Sequence, residues 1–363
     1  MPRFIYVLES SQTVRDLYLN PVGLLYGSIA QEAISTGCAG RLGGGDIGFQ
    51  SLQMLHGKPG APLSELRCYK ELRASSDAAV VKALNLLEDK RCLSIKSDHS
   101  GPLIMGVVNV TPDSFSDGGD FLDDKVAIAQ GQALATAGAD ILDIGGESTR
   151  PGAEPVSAGE ELARVLPVIE GLRTLCQPLS IDTRKPEVMK QAVQSGAQIV
   201  NDITALTFDG KSLVVARQLN RPVIFMHAQG DPRTMQDNPT YENVVLEVFD
   251  WLSDRLEIAD KAGIKRQNLM IDPGIGFGKN IDHNLALMAN LAFFHGLGVP
   301  IVLGASRKRF IGAVAGVPEA KHRMPGSIAA AIQGAASGVQ VVRVHDVAET
   351  RQALSITEAI RAI

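Results

Sequence analysis

The sequence predicts an α/β protein, a (β/α)8 TIM-type barrel preceded by an N-terminal extension of about 100 residues. Three observations carry that prediction. From Leu103 onward, eight short apolar runs alternate with amphipathic segments of helical spacing. The runs are continuous rather than alternating, as expected for strands buried on both faces of a parallel sheet. A hydrogen-bonding side chain ends nearly every run, which suggests a ring of strands converging on one mouth. A doubly wound open sheet is the alternative, and the eight polar strand ends speak against it. The division expected is 1–100 for the extension and 101–363 for the barrel.

The elements follow in order. Tyr18–Tyr26 reads as a short strand, and Pro21 inside it favours an edge position, because proline donates no ladder hydrogen bond. Arg41–Gly48 is glycine-rich and reads as a loop; it lacks the lysine and following helix of a phosphate loop. Asp77–Asp89 carries Val80, Ala83, Leu84 and Leu87 at helical spacing behind an Asp77 cap. Asp98–Pro102 is a hydrophilic junction. No chemistry is assigned to this first part. The eight runs are Leu103–Val108, Ile141–Ile144, Leu179–Ile181, Ile199–Val200, Pro222–Met226, Leu269–Ile271, Pro300–Leu303 and Val339–Val344.

Composition excludes several classes. Hydrophobic residues at 45% allow a large core, and 36 glycines with 5% aromatics suit tight strand-to-helix turns better than an aromatic-rich all-β fold. With a formal charge of -5 and no long basic run, nothing suggests a polyanion-binding surface, so no nucleic-acid partner is expected. No apolar run is long enough to span a membrane. The apolar patch Phe4–Leu8 is too short for a signal-peptide core and ends at Glu9. Cys38, Cys68, Cys92 and Cys176 lack paired spacing and read as reduced thiols of a cytoplasmic protein rather than a zinc site.

In a barrel, catalytic groups sit at the C-terminal strand ends and in the loops that follow. Those ends are Asn109, Asp143 with Glu147, Asp182, Asn201–Asp202, His227, Asp272, Ser306–Lys308, and Arg343 with His345. Arg343 and His345 alternate along the last strand, so both face one side of the pleat. The first loop, Asn109–Gly119, is polar and carries Phe115 and Asp117; the second, Gly145–Gly152, places Thr149 and Arg150 beside glycines. Asn109, Thr149, Arg150, Arg343 and His345 suit an anionic group such as a diphosphate. Asp182, Asn201, Asp272 and Lys308 suit a flat heterocycle with several N–H donors and acceptors. Asp143 and Asp202 are expected to anchor loop backbones. His227 reads equally as a satisfied core histidine. Gly274–Lys279 lacks the spacing of a nucleotide fingerprint and suits close backbone approach to a flat ring, with Lys279 expected on the surface or in a loop.

Leu103-Ile-Met-Gly-Val-Val-Asn-Val-Thr-Pro-Asp-Ser-Phe-Ser-Asp-Gly-Gly119 and Asp143-Ile-Gly-Gly-Glu-Ser-Thr-Arg-Pro-Gly152 resemble the two signatures of dihydropteroate synthases. Ser180–Thr183, Val200–Ile203, Met226-His227, Asp272–Lys279, Ser306-Arg-Lys308 and Arg343–Asp346 follow in that family's order. The resemblance runs from Leu103 to the end. The extension is not part of the common core, and is read as an added domain or a cap on the barrel. The resemblance implies condensation of a pterin methyl diphosphate with 4-aminobenzoate. Asn109 would ligate Mg²⁺ and the diphosphate, which Thr149, Arg150, Arg343 and His345 would also contact. Asp182, Asn201, Met226, Asp272, Phe277 and Lys308 would hold the pterin. Phe115, Pro151, Ser306 and Lys308 would shape the aminobenzoate pocket. Asp117, Arg150 and Lys308 would act at the reacting centre, and Phe115 with Pro151 implies sensitivity to sulfonamides. A homodimer is implied in the same way.

Three other readings stay open at this stage. Lys308 could form a Schiff base, as in aldolases. His227, His345 and Asp272 could bind a transition metal, although no His-x-His pair ends the first strand. A pterin-binding methyltransferase or a non-catalytic folate-pathway paralogue would share much of the pocket; a methyltransferase would not need the Asn109–Asp117 loop or the Ser306-Arg-Lys308 motif.

Overall fold

The computed structural model describes residues 17–91, 93, 101–110, 124–148, 154–230 and 234–363. Two units follow one another along the chain. The first contains β1 (Tyr18–Leu25), α1 (Gly27–Ser35), β2 (Gly40–Arg41), β3 (Gly48–His56), β4 (Leu63–Cys68), α2 (Tyr69–Arg73) and α3 (Ala78–Glu88). The second runs β5 (Leu103–Asn109), α4 (Asp124–Thr136), β6 (Ile141–Gly145), α5 (Ala158–Leu172), β7 (Leu179–Asp182), α6 (Pro186–Ser195), β8 (Ile199–Asp202), α7 (Ser212–Leu219), β9 (Val223–Met226) and α8 (Val244–Lys261). It continues with β10 (Leu269–Asp272), α9 (Ile281–Ala289), β11 (Val302–Leu303), α10 (Arg309–Ala315), α11 (Met324–Ala336), β12 (Val341–Val344) and α12 (Val347–Arg361).

The eight strands β5–β12 pair in parallel in the order β10-β9-β8-β7-β6-β5-β12-β11. Their ends meet at a single bridge between Ile271 and Ile301. This is the (β/α)8 barrel, and each strand falls where an apolar run stands in the sequence. Three strands start later than their runs, β12 at Val341 among them. Pro222 and Pro300 have no N–H to give a ladder, so β9 begins at Val223 and β11 at Val302. The seam between β10 and β11 is therefore thin.

Alternation along the strands sorts side chains into two clusters. Leu103, Met105, Ile141, Ile199, Ile224, Met270, Val302 and Val341 form one, inside the barrel. Their neighbours Ile104, Leu142, Val200, Val223, Leu269, Leu303 and Val342 join the larger cluster under the helices. The runs look continuous in sequence because both faces are apolar at the base. Helix starts use local chemistry: Ser157 and Glu160 form a capping box on α5, and Pro186 opens α6.

In the first unit, β3 is central, with β1 on one edge and β2 and β4 on the other. Pro21 lies in β1, which among the described residues pairs only with β3. Asp77 caps α3 by accepting from the Ala79 N–H at 2.8 Å. The glycine-rich Arg41–Gly48 stretch holds a 3-10 turn at Leu42–Gly44. Strands β3 and β4 were not legible: all six residues of β4 are exposed, so it has no buried face to set a pattern.

The first unit is fastened to the barrel's helices. The Tyr18 hydroxyl donates to Asp250 on α8 at 2.7 Å, and its ring meets Phe249 edge-on at 5.9 Å. Asn20 donates to Asn290 at 3.0 Å. Arg91 donates to the His295 carbonyl at 2.6 Å, and the Tyr26 hydroxyl to the Ala336 carbonyl at 2.8 Å. Leu93 packs against the inner apolar cluster. Asn290, His295 and Ala336 all precede strands, so the extension braces the side where strands begin, away from the mouth.

Candidate active site at the barrel mouth

One pleat above the apolar cluster, the inward positions turn polar. On β6, Ile141 gives way to Asp143; on β8, Ile199 to Asn201; on β10, Met270 to Asp272; on β12, Val341 to Arg343. These groups find one another across the barrel. Arg343 Nε donates to Asp143 Oδ2 at 2.6 Å, and its Nη2 to Asp182 Oδ2 at 2.8 Å. Asn201 Nδ2 donates to the same Asp143 oxygen at 3.0 Å. Asp143 is fully buried, so its charge depends on these donors. It is thus an inward member of the site and not the loop anchor expected from the sequence. Asp202 is a loop anchor: it accepts from the Thr204 and Leu206 N–H groups at 2.8 and 2.9 Å. Burial lifts Asp202 to about 6 against those bonds.

Arg343 is held by two carboxylates, and its guanidinium is raised above its ordinary range by them despite burial. Burial in turn pushes Asp182 up, opposed by Arg343. Asp272 is buried and accepts from the Gly274 N–H at 2.7 Å. Burial pushes it up as well, against that bond and the nearby Lys308. Lys308 stands at the start of α10 with its ammonium 4.0 Å from the centre of the Phe277 ring. Desolvation draws Lys308 down to about 8, against the attraction of Asp272. Arg307, beside it, turns away to pair with Asp346 and has φ 58. Of the two cations in Ser306-Arg-Lys308, only Lys308 therefore faces the carboxylates.

Ser306 and His345 form a second group. The Ser306 hydroxyl lies 3.0 Å from His345 Nδ1 and accepts from the His345 N–H at 3.3 Å. Burial and the nearby Arg343 push the His345 imidazole down to about 3. A neutral ring whose Nδ1 takes the Ser306 proton carries its own proton on Nε2, a donor with no net charge. Met226 is buried at the end of β9, and Asn109 ends β5 partly exposed. Phe115, Asp117, Thr149, Arg150 and Pro151 lie outside the described residues.

The turn after β10 is built on glycine. Gly274, Gly276 and Gly278 all have positive φ (71, 84 and 60). A Cβ on Gly274 would collide with the His227 carbonyl, and one on Gly276 would lie 3.1 Å from Lys308 Cδ. The run lets the backbone close onto β9 and Lys308. Lys279 lies in a loop, one of the two places expected for it, but it is 2% exposed and so not a surface residue. It is drawn in by three acceptors: His227 Nδ1 at 2.9 Å, the Phe277 carbonyl at 2.9 Å and the His227 carbonyl at 3.4 Å. His227 is buried as well, and its ring is pushed well below the usual histidine range by burial and Lys279. Glu147 joins the turns after β6 and β7, accepting from Arg184 at 3.0 and 3.1 Å and from Lys185 at 2.9 Å. Alternation from Ile141 would have found Asp143. The burial of Lys279 had no such signal, because turns have no period.

The family described as pterin binding enzyme matches residues 105–345. The dihydropteroate synthase of Escherichia coli (strain K12) is 45% identical over 263 residues, 72% of this chain and 93% of that protein. The chain belongs to the dihydropteroate synthases, within the pterin-binding enzymes. Solved structures of dihydropteroate synthases agree. The Xanthomonas albilineans enzyme with 4-aminobenzoic acid superposes at TM-score 0.69, with 48% identity, covering 72% of this chain and 94% of that one. The Yersinia pestis enzyme in a sulfonamide drug complex gives TM-score 0.70 and 43% identity, covering 74% and 98%. The uncovered part of this chain is about the size of the extension.

Proposed function

We propose that this dihydropteroate synthase joins 4-aminobenzoate to a (7,8-dihydropterin-6-yl)methyl diphosphate, giving 7,8-dihydropteroate and diphosphate for folate synthesis. The observation that carries the reading is the gathering of Asp182, Asn201, Asp272 and Lys308 at one barrel mouth beside Phe277. Such a set can pair the donors and acceptors on the edge of a pterin while Phe277 and Met226 cover its faces. Asn109, Thr149, Arg150, Arg343 and His345 are assigned to the diphosphate. Phe115, Pro151 and Ser306 are assigned to 4-aminobenzoate, with Lys308 between the two substrates.

Mg²⁺ fits this donor set. Among the described residues no cluster of three or more His, Cys, Asp or Glu side chains is placed to hold a metal. Mg²⁺ does not need one, since it keeps several waters and takes substrate phosphates beside one or two protein groups, usually carboxylates. The Asn109 side-chain oxygen would supply the protein ligand, and the ion would offset charge on the departing diphosphate.

The chain's own residues do the rest. Asp182, Asn201, Asp272 and Lys308 fix the ring so that the C–O bond from its methylene to the diphosphate is free to break. The bond's electrons leave with the diphosphate, and the pterin ring spreads the positive charge. Asp117 is assigned to stabilise that charge. The neutral His345 donates through Nε2 to the leaving oxygens. The amine of 4-aminobenzoate then attacks the methylene and releases a proton to solvent. No protein nucleophile takes part, so Lys308 needs no Schiff base. Sulfonamides are expected to compete with 4-aminobenzoate, and the chain to act as a cytoplasmic homodimer.

The test is diphosphate release by the purified protein with Mg²⁺ and the pterin diphosphate. Release that requires 4-aminobenzoate and yields dihydropteroate is expected. Pterin binding without release under any amine would favour a non-catalytic paralogue.

A further inference from the structure

We propose that Lys279, together with His227, is a positioning residue that sets the pterin-facing side of the mouth. This rests on the assignment of Asp272, Phe277 and Lys308 to the pterin. Lys279 sits behind the turn after β10 and does not need to touch the substrate to act. Each of its three close partners can accept, His227 Nδ1 in the tautomer that carries its proton on Nε2, and an ammonium has three N–H donors to meet them, although burial draws Lys279 down to about 7. One partner is the carbonyl of Phe277, whose ring lies against the Lys308 ammonium. Two belong to His227, on the turn after β9. One buried side chain thus ties the β9 turn to the β10 turn and fixes where Phe277 stands.

Neighbouring contacts complete the clamp without replacing it. Gln236 donates to the Gly276 carbonyl at 2.6 Å, and the Tyr241 hydroxyl donates to the Gly278 carbonyl at 2.9 Å. Asn284 accepts from the Gly276 N–H at 2.6 Å. None of these holds Phe277 itself. His227 is kept in place by the Trp251 ring, edge-on at 4.9 Å, so the clamp is referred to the helix α8 behind it. The bond that breaks lies at the other end of the substrate, beside the groups assigned to the diphosphate. Loss of the clamp therefore acts on binding of the ring, in the ground state and the transition state alike, and raises KM with little change in kcat.

The experiment uses the full chain with Lys279→Met and Lys279→Arg. A pterin lacking the diphosphate is the binding probe, and steady-state kinetics are run with the pterin diphosphate and 4-aminobenzoate. Lys279→Met is expected to weaken pterin binding and raise the pterin KM by about tenfold, the effect of losing charge-assisted hydrogen bonds. kcat and the 4-aminobenzoate KM should stay within about threefold, and Lys279→Arg, which keeps charge and N–H donors in a different geometry, should recover part of the affinity. If Lys279→Met does not fold, Lys279→Gln, with two donors left, carries the same test. Wild-type pterin affinity in the variant overturns the proposal. So does a proportional fall of kcat and both affinities that follows the melting temperature, because that marks a purely structural lysine. A wild type that turns over no pterin diphosphate sinks the proposed function, and this role with it.

Discussion

The base and the mouth of the barrel interior are made by the same strands, one pleat apart, and differ in almost everything else. Ile141, Ile199, Met270 and Val341 fill the base with side chains that only pack. Two residues on, Asp143, Asn201 and Arg343 join one another by charge and hydrogen bonds, and Asp272 accepts from the Gly274 N–H. The base is stable because its groups leave water. The mouth is stable only while every buried charge keeps its partner. The step from stability to chemistry takes about 7 Å along each strand, two residues of strand rise.

That contrast can be broken from either side. Arg343→Met leaves Asp143 and Asp182 buried without their shared cation, so about 3–5 kcal/mol of unfolding free energy should be lost, read by denaturant titration. Turnover should fall with it. A stability equal to wild type would show that the carboxylates do not rely on Arg343. Ile141→Ala should cost about 3 kcal/mol in the same titration, from lost contacts and a cavity, while kcat of the folded protein stays unchanged. An equal fall in kcat would mean that the base and the mouth are not separable. Asp272→Asn should do the reverse: about a 100-fold loss in kcat/KM for the pterin diphosphate, the cost of a lost charged hydrogen bond, with little change in melting temperature. A large drop in melting temperature would place Asp272 with the structural groups.

The smallest effect concerns pH. Asp202 is raised to about 6 in the folded chain, above its value when unfolded. The folded state then holds the proton more tightly, so this group's contribution is fully present below the unfolded value and is lost as pH rises through about 6. The stability advantage of wild type over Asp202→Asn should therefore grow, by about 1 kcal/mol or more, as pH falls from about 7 to 5. A difference that is flat over that window would show that Asp202 is not raised.

How much of this was readable in sequence follows from the same contrast. The eight runs were legible because parallel strands are apolar on both faces at the base. Asp182, Asn201, Asp272 and Lys308 were legible because a polar residue ending such a run stands out. Asp143 was misread because it sits inside a run, where the inward phase shows only once Ile141 is known to face in. Lys279 was placed in a loop, as found, but its burial was not legible because a charged residue in a glycine turn is ordinarily solvated; its three acceptors come from residues far from it or carry no sequence mark. In the extension, Asp77 and Pro21 spoke through local chemistry, whereas β4, with no buried face, was silent.

The docking of the extension also has a consequence for the order in which the chain is made. Tyr18 and its partner Asp250 are 232 positions apart, Arg91 and His295 are 204, and Tyr26 and Ala336 are 310. On the ribosome the extension emerges before the barrel, with Tyr18 lacking the surfaces that will cover it. Those surfaces, α8 and the Leu291–Leu297 turn before β11, flank the thin seam of the barrel and are among the later parts to be synthesised. Contacts at such separation form slowly. The nascent chain therefore carries its brace for most of translation before there is a seam to close.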